Sequence, residues 1–381
     1  MRKYAYLKKN AAPCEDDSVC KIMLCDIPDD GIHLFEYDRP DAETSSFDIA
    51  YYSLESLYSD WNDRIDAHGW QDLEDPLPDC LIDAFIPVRI KDQDSVPGWR
   101  RETLQDGQWV AFDYDPVFDI GKWSDAVSPI TVVSANVRCH TDSDQGKRNW
   151  YYRAPLMVHT LINTHADIIG LQECMQVHYD RIGRALRGYG SFIDYRDDSG
   201  NPEGCPIFYN LSKFELTGKG TFWLSETPDR MSKGWGAACY RTCSYVLLRQ
   251  KADGKELAVF NTHLDHVSEE ARINGIRLIL QKLREFGGMP CVIMGDLNDF
   301  ESSETYRAAT QLFDDAKYRT DDTDSGATYH AWGEKPDYEA IDYFLVSKNG
   351  LDVLQYKVVR TTYNGVYPSD HYPIRLEIRL A

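Results

Sequence analysis

Two histidines stand in short polar motifs at the ends of apolar runs. His263 lies in Val259-Phe260-Asn261-Thr262-His263-Leu264-Asp265-His266, and His371 in Tyr367-Pro368-Ser369-Asp370-His371-Tyr372-Pro373-Ile374. Between them sit Cys291-Val292-Ile293-Met294-Gly295-Asp296-Leu297-Asn298 and Ala340-Ile341-Asp342-Tyr343-Phe344-Leu345-Val346; upstream are Val132-Val133-Ser134-Ala135-Asn136-Val137-Arg138 and Ile168-Ile169-Gly170-Leu171-Gln172-Glu173. Six apolar runs thus deliver carboxylates, amides and imidazoles in one chain direction. Those groups suit metal-assisted cleavage of a phosphate ester, which needs a cation at the phosphate oxygens, a base for the attacking water, donors for the developing charge and help for the leaving oxygen.

Glu173 ends an apolar run and offers the hard oxygen that magnesium prefers, and Asn136 can set a second oxygen beside it. Asp296 and Asn298 are two residues apart, so on an extended backbone they share a face; one can deprotonate water while the other donates its amide to phosphate. Asp342 is a candidate to fix the tautomer of His371, and Glu203 to hold His263. Arg138 and Arg153 are candidate cations for phosphate, with solvated helix surface the competing reading for Arg153. Trp223, Trp235 and Tyr240 near Arg241 could line a leaving-group pocket, although core packing competes for Phe222 and Trp223. Taken singly, a Glu after a strand is ordinarily solvated and a Gly-Asp-x-Asn is ordinarily a turn. Asp265, His266 and Asp299 are read that way, as turn or surface groups.

The elements that must carry these residues alternate. Strand patterns at Ile130–Ala135, 167–173, 206–210, 244–250, 256–263, 291–294, 341–347, 354–360 and 374–380 are interleaved with helical patterns near 153–164, 179–186 and 271–283, the last stopped by Gly287-Gly288. This is an α/β pattern of sheets covered by helices, with motifs at strand ends. Before it, 22–24, 32–37 and 84–88 read as strands and 54–61 as an amphipathic helix stopped at Gly69, a small α+β module with no catalytic constellation. A stretch from Asp113 to Pro129 punctuated by Pro, Gly and Asp places the boundary at 128/129.

Of the formal net charge of −21, residues 1–128 carry −16, from 12 Lys and Arg against 28 Asp and Glu, and 129–381 carry −5. A sequence pI near 4.8 and the lack of any Lys/Arg run make long nucleic acid an unsuitable partner. No stretch approaches the roughly 20 apolar residues of a membrane span, and Met1–Asn10 lacks a signal-peptide core. Cys20, Cys80, Cys139, Cys174 and Cys291 are scattered singly, without CxxC, as reduced thiols are. The expected compartment is the cytoplasm.

In order, Asn136, Leu171-Gln172-Glu173, Asn261-Thr262-His263, Gly295-Asp296-Leu297-Asn298, Ile341-Asp342-Tyr343 and Ser369-Asp370-His371 resemble the endonuclease/exonuclease/phosphatase superfamily over essentially all of 129–381. The likeness implies a deoxyribonuclease-like two-sheet sandwich flanked by helices. It also implies Glu173 as main magnesium ligand with Asn136 and Asp370 beside it, manganese being a possible substitute. It further implies Asp296 and Asn298 at the water and phosphate, Asp342 orienting His371, His263 as second imidazole and Glu203 as its partner. Gly220-Thr221-Phe222-Trp223-Leu224-Ser225-Glu226-Thr227-Pro228, with Arg138, Trp150 and Arg153, looks like a bacterial subgroup. Asp299-Phe300 and Ile341-Asp342-Tyr343 depart from the inositol-phosphatase pattern. The expectation is a metal-dependent hydrolase of a small phosphodiester or phosphorylated metabolite, with Arg138, Glu203, Trp223 and Arg241 at the substrate and a module at 1–128 whose partner the sequence does not name. The alternatives are a nuclease or deadenylase for short single strands and a binding protein that kept the fold and lost the reaction.

Overall fold

The computed structural model describes residues 1–8, 19–27, 31–38, 45–73, 88–91, 100–105, 108–113, 129–141, 143–144, 148, 150–324, 326–335, 339–362 and 366–381. Two compact units emerge, one of 1–116 with 141–155 and one of 117–140 with 156–381. The expected strand residues 84–87 and the linker residues 114–128 lie outside the described ones.

In the first unit β1 (Arg2–Tyr6), β2 (Lys21–Ile27), β3 (Gly31–Tyr37), β4 (Phe47–Tyr51) and β5 (Gln71–Leu73) form a five-stranded antiparallel sheet in the order β4-β3-β2-β1-β5. Helix α1 (Leu54–Trp61) is capped by Ser53, whose hydroxyl accepts from the Ser56 N–H. It buries Leu57 and Trp61 with Ala5, Ile22, Leu24 and Leu34. Strands β6 (Val88–Lys91), β7 (Arg100–Gln105) and β8 (Gln108–Asp113) make a separate three-stranded sheet. The expected α+β character holds.

The second unit holds two six-stranded sheets. The first, in the order β11-β12-β10-β9-β20-β19, contains β9 (Ile130–Asn136), β10 (Ile168–Gln172), β11 (Tyr189–Phe192), β12 (Ile207–Asn210), β19 (Leu351–Val358) and β20 (Ile374–Leu380). The other, β13-β14-β15-β16-β18-β17, contains β13 (Phe214–Trp223), β14 (Thr242–Gln250), β15 (Glu256–His263), β16 (Cys291–Asp296), β17 (Phe313–Asp315) and β18 (Asp342–Ser347). Val132, Ile168, Ile207 and Ile374 of one sheet pack against Val246, Val259, Val292 and Phe344 of the other, forming the central core. Helices α4 (Glu269–Leu283) and α5 (Glu304–Thr310) follow β15 and β16; Ile276, Ile279 and Leu280 of α4 cover Phe222, Phe260 and Ile293 on the outer face of the second sheet. Helix α2 (Trp150–Asn163) precedes β10, and α3 (Gln176–Ala185) sets Tyr179 against Phe208 of β12. The helix-flanked sandwich is as the sequence pattern requires.

Each sheet has one parallel pair, β9 with β10 and β15 with β16, buried along all but the Glu256 end of β15, which is why these strands read as largely apolar runs. Parallel pairing brings successive C-terminal ends to one edge. Register does the rest: His263 stands opposite Asp296, and Asp296 opposite Asp342 at the start of antiparallel β18. With strands about 4.8 Å apart, these three residues form a row. In the other sheet Asn136 stands opposite Gln172, one residue before Glu173.

One buried amide ties the two sheets beneath that edge. Asn261 Nδ2 of β15 donates to the Leu171 and Pro206 carbonyls, each at 2.8 Å, and its Oδ1 accepts from Gln172 Nε2 at 2.6 Å. Asn261→Ala removes three buried hydrogen bonds, although Gln172 Nε2 keeps Ser134 Oγ and the Pro206 carbonyl keeps the Leu171 N–H. A hydrogen bond contributes about 0.5–1.5 kcal/mol, so a loss of about 3 kcal/mol is expected, read as a lower urea midpoint at unchanged slope. A loss below about 1 kcal/mol would show that other contacts hold the sheets together.

Candidate active site

A cavity of about 520 Å³ opens at the edge where the strand ends converge. Its walls include nine of the residues picked out by sequence: Arg138, Glu173, Glu203, Arg241, His263, Asp296, Asn298, Asp370 and His371. Asn136 and Asp342, both buried, sit beneath them and hold their side chains. Trp223 is not in the wall. Its indole N–H donates to the Arg196 carbonyl at 2.8 Å, bracing the backbone behind a wall residue, while its neighbour Phe222 joins the core.

Local backbone conformation aims the key groups. Glu173 and Asn298 follow their strands with φ of 56° and 50°, a left-handed turn that Asn accepts readily and Glu rarely adopts. Gly295 has φ of 144°, and a Cβ there would lie 1.9 Å from the Thr262 carbonyl, so only glycine lets β16 run this close to β15 before Asp296. Asp296 Oδ1 accepts from the Asn298 N–H at 2.8 Å, which fixes the turn.

At the centre Asn136 Nδ2 donates to Glu173 Oε1 at 3.0 Å and to Asp296 Oδ2 at 3.1 Å, joining the carboxylates of the two sheets. Its oxygen accepts from the Arg138 N–H at 2.9 Å. Glu173 Oε2 accepts from the Cys139 N–H at 2.8 Å, and Arg138 Nε lies 4.0 Å from Asp370 Oδ2. The Ser369 hydroxyl donates to the Asn136 carbonyl at 2.7 Å, anchoring the segment that carries Asp370 and His371. Across the row, His371 Nδ1 donates to Asp342 Oδ2 at 2.9 Å, and its Nε2 is 3.8 Å from Asp296 Oδ2. His263 Nε2 is 3.4 Å from the same Asp296 oxygen.

Several expectations change. Glu203 does not hold His263: both its oxygens are taken by Arg196, at 2.6 and 2.7 Å. His263 Nε2 instead accepts from Asn298 Nδ2 at 2.9 Å, and the same amide donates to the Leu264 carbonyl at 3.0 Å. Both Asn298 amide hydrogens are therefore spent on protein rather than offered to the cavity. Arg153 is fully buried rather than solvated, donates to the Arg148 carbonyl and covers the Trp150 ring; it belongs to the 141–155 segment of the first unit. Asp265 is a buried turn carboxylate that accepts four backbone N–H groups, Asp299 is paired with Arg272, and His266 lines the cavity. Sequence reading passed over Arg196, Cys139, Cys239, Phe300 and Tyr329, which also line it. Arg196 stands in a hydrophilic loop with no apolar run beside it, so nothing local marks it. Tyr329 is brought to the site by its backbone bridge to His371 and by packing of its ring against the His371 ring.

Two imidazoles of the same row are driven to opposite states. Burial and the neighbouring Arg241 charge push His263 well below its ordinary value, so it is neutral at pH 7. His371 is equally desolvated, but the Asp342 charge and hydrogen bond, with Asp296 and Asp370 nearby, raise it to about 10, leaving an imidazolium. Burial and the adjacent Asp342 raise Asp296 to about 7. Burial also opposes ionisation of Glu173, yet the Cys139 N–H, the Asn136 amide and the Arg138 charge hold it below the usual carboxylate range.

Residues 133–371 match the profile of the Endonuclease/Exonuclease/phosphatase family. The chain belongs to that family. An endonuclease/exonuclease/phosphatase crystal structure from Bacteroides vulgatus superposes with a TM-score of 0.63 at 30% identity, covering 67% of this chain and 100% of that one. The mannosyl-6-phosphatase of Bacteroides thetaiotaomicron gives 0.61 at 32% identity, over 65% and 99%. Nocturnin of Drosophila melanogaster is 25% identical over 175 residues, 42% of this chain and 25% of its own length. The Ccr4 exoribonuclease subunit of Candida albicans is 22% identical over 356 residues, 73% of this chain and 44% of its own. The chain spans less than half the length of these last two relatives. Members of the family act on phosphoester bonds, generally with a divalent metal.

The residues fit such an ion. Glu173, Asp296, Asp342 and Asp370 place four carboxyl groups against two cations, Arg138 and protonated His371. A surplus of buried negative charge is costly unless a cation compensates it. The donors are hard oxygens, and the carboxylate oxygens of Asp296 and Asp342 come within 4.8 Å of each other. Glu173 and Asp370 would offer carboxylate oxygens to the ion; Asn136 would join only by turning its amide, since Arg138 now holds its oxygen.

The His371 assignment has a direct test. Its folded value lies above the ordinary imidazole value of about 6.5, so the Asp342 pair contributes full stability below that pH and loses it as pH rises through about 10. In chelator-treated protein, NMR of the ring should show a midpoint near 10, and Asp342→Asn should lower it by at least about one unit. A wild-type midpoint near 6.5 would refute the imidazolium.

Proposed function

We propose that the protein is a divalent-metal-dependent phosphohydrolase that directs water onto the phosphorus of a small phosphodiester or phosphorylated metabolite, with magnesium as the ion and manganese as substitute. The observation that carries this reading is the row of His263, Asp296 and His371, set side by side by strand register, with His371 held by Asp342, all facing one cavity. A carboxylate with a value near neutrality is suited to take a proton from water. An imidazolium held by Asp342 is suited to donate to a phosphate or leaving oxygen as charge develops. His263, turned by Asn298, adds a second ring at the phosphate, and Arg138 beside Asp370 adds a fixed cation. Bound at Glu173 and Asp370, the ion would neutralise phosphate charge and favour ionised water.

In this proposal residues 129–381 carry the site and 1–128 form a module whose role stays open. The hard oxygen donors support magnesium, and the buried thiols of Cys174, Cys205, Cys243 and Cys291 support a cytoplasmic setting. The net charge of −16 on residues 1–128 supports a small substrate over a long polyanion. The Ccr4 exoribonuclease subunit among the relatives favours one second reading, hydrolysis of short single-stranded nucleic acid.

With magnesium, the panel to assay is bis-aryl phosphate, aryl phosphate, sugar phosphates, nucleotides and short RNA and DNA. Glu173→Gln keeps the side-chain shape but removes the charged ligand, and should abolish metal-dependent turnover; activity persisting in excess chelator would overturn the mechanism. Asp296→Asn and His371→Ala should each lower kcat at least about 100-fold with circular dichroism unchanged. Near-wild-type kcat in either variant removes that residue from its role. A clear preference for short RNA or DNA within the panel would move the assignment to the second reading, and binding without turnover of any ester would mark a family member that has lost its chemistry.

A further inference from the structure

Asn298 has no amide hydrogen left for a phosphate, but a stronger donor at the same cavity stands unspent. Arg241 lines both the main cavity and a niche of about 10 Å³ that it shares with Glu173 and His263. The niche has room for about one water-sized atom. Arg241 is 6% exposed, yet it has more N–H groups than partners. Among the described residues its side chain makes a single hydrogen bond, from Nη2 to His266 Nδ1 at 3.1 Å, and Nε is buried with no hydrogen-bond partner. The carboxylate paired with it is Asp265, whose Oδ2 lies 3.7 Å from Nε and already accepts the Ala238 and Cys239 N–H groups, while Oδ1 accepts those of Val267 and Ser268. Asp265 thus balances the charge of Arg241 without hydrogen-bonding it.

A buried fork of donors without acceptors is costly unless a ligand completes it, and the ligand that its planar geometry fits is an oxyanion. Its place in the cavity follows from two neighbours. His266 accepts through Nδ1, which steers the fork toward the cavity that both residues line. The Arg241 charge adds to burial in keeping the His263 ring neutral, so the guanidinium stands within Coulombic reach of the row of strand ends. Resting on the phosphohydrolase reading above, we propose that Arg241 is a further catalytic residue: its guanidinium donates to a non-bridging oxygen of the phosphate being cleaved, with that oxygen in the niche beside His263. It fills the donor role that the Asn298 amide cannot, and it stabilises charge on that oxygen as the bond to the leaving group breaks. Asp265 and His266, read from sequence as turn and surface groups, are the positioning residues that keep the fork aimed and unspent.

The test follows aryl phosphate hydrolysis by the full-length protein with magnesium, inhibition by inorganic phosphate, and magnesium binding by calorimetry. Arg241→Ala should lower kcat about 100-fold, the scale of losing one preorganised donor. It should weaken inhibition by phosphate at least about 10-fold, the scale of losing a hydrogen bond to a charged group. Magnesium binding should not weaken, whereas collapse of the site would weaken it. Arg241→Lys separates a donor from a cation that only balances Asp265: it keeps the charge and loses the fork, and kcat should stay at least about 10-fold below wild type. Near-wild-type kcat or unchanged phosphate inhibition in Arg241→Lys overturns the inference and leaves the phosphohydrolase reading standing. If neither variant folds, His266→Ala decides on an exposed ring, weaker phosphate inhibition supporting the proposal and unchanged inhibition sinking it. If the wild type hydrolyses no ester, calorimetry with inorganic phosphate replaces kinetics. Binding that Arg241→Lys loses keeps the anion site and sinks the hydrolysis; binding that the variant retains, or no binding to the wild type, sinks both.

Discussion

The site exists because two sheets are held at one spacing, and a polar contact inside the apolar sandwich sets it. Apolar packing between Val132, Ile168, Val259 and Val292 is strong but tolerant of small slides. Hydrogen bonds from Asn261 to the Leu171 and Pro206 carbonyls, and from Gln172 to Asn261, are not tolerant, because a shift leaves buried groups unpaired. Asn261 lies two residues before His263, and Gln172 immediately before Glu173. The tie therefore fixes the residues that each sheet contributes to the cavity, and the Asn136 amide repeats the linkage at the top between Glu173 and Asp296.

On that frame the electrostatics follow from position. Parallel pairs deliver C-terminal strand ends to one edge, so acidic and imidazole side chains crowd there with little water to separate their charges. Crowding raises Asp296, while the backbone N–H of Cys139 and the Asn136 amide help keep Glu173 ionised. The same burial that would discharge both histidines is overridden at His371 by Asp342 and reinforced at His263 by Arg241. One row of strand ends thus holds a neutral ring, a titrating acid and a cation, which is the assortment that proton transfer around a phosphate requires.

Around Glu173 carboxyl groups outnumber cations, which suits a metal ion and chemistry on phosphate. Arg196, Glu203 and Arg241 border the same Glu173 and His263, with Arg196 taken up by Glu203 and Arg241 keeping a buried Nε without a hydrogen-bond partner.

Much was legible in the sequence, for identifiable reasons. Strands buried on both faces must be apolar throughout, so β9, β10, β15 and β16 announced themselves, and the polar residue closing each run marked the edge where a site could form. Strand β13 was missed because it is an edge strand carrying two glycines, with neither a continuous nor a cleanly alternating pattern. Which polar residues gather at that edge was therefore determined by the chain itself: Glu173, His263, Asp296 and His371 all line the cavity. Who pairs with whom was not. Glu203 is 60 positions from His263 in the chain and could be matched with it on chemistry alone, but the loop carrying Arg196 folds back and claims both its oxygens. Likewise the amides of Asn136 and Asn298 can each present an oxygen or a nitrogen, and only the surrounding donors and acceptors decide which. Side-chain chemistry and strand periodicity are local properties and can be read in order; pairing, burial and proton state depend on residues brought together across two sheets, and only the tertiary structure supplies them.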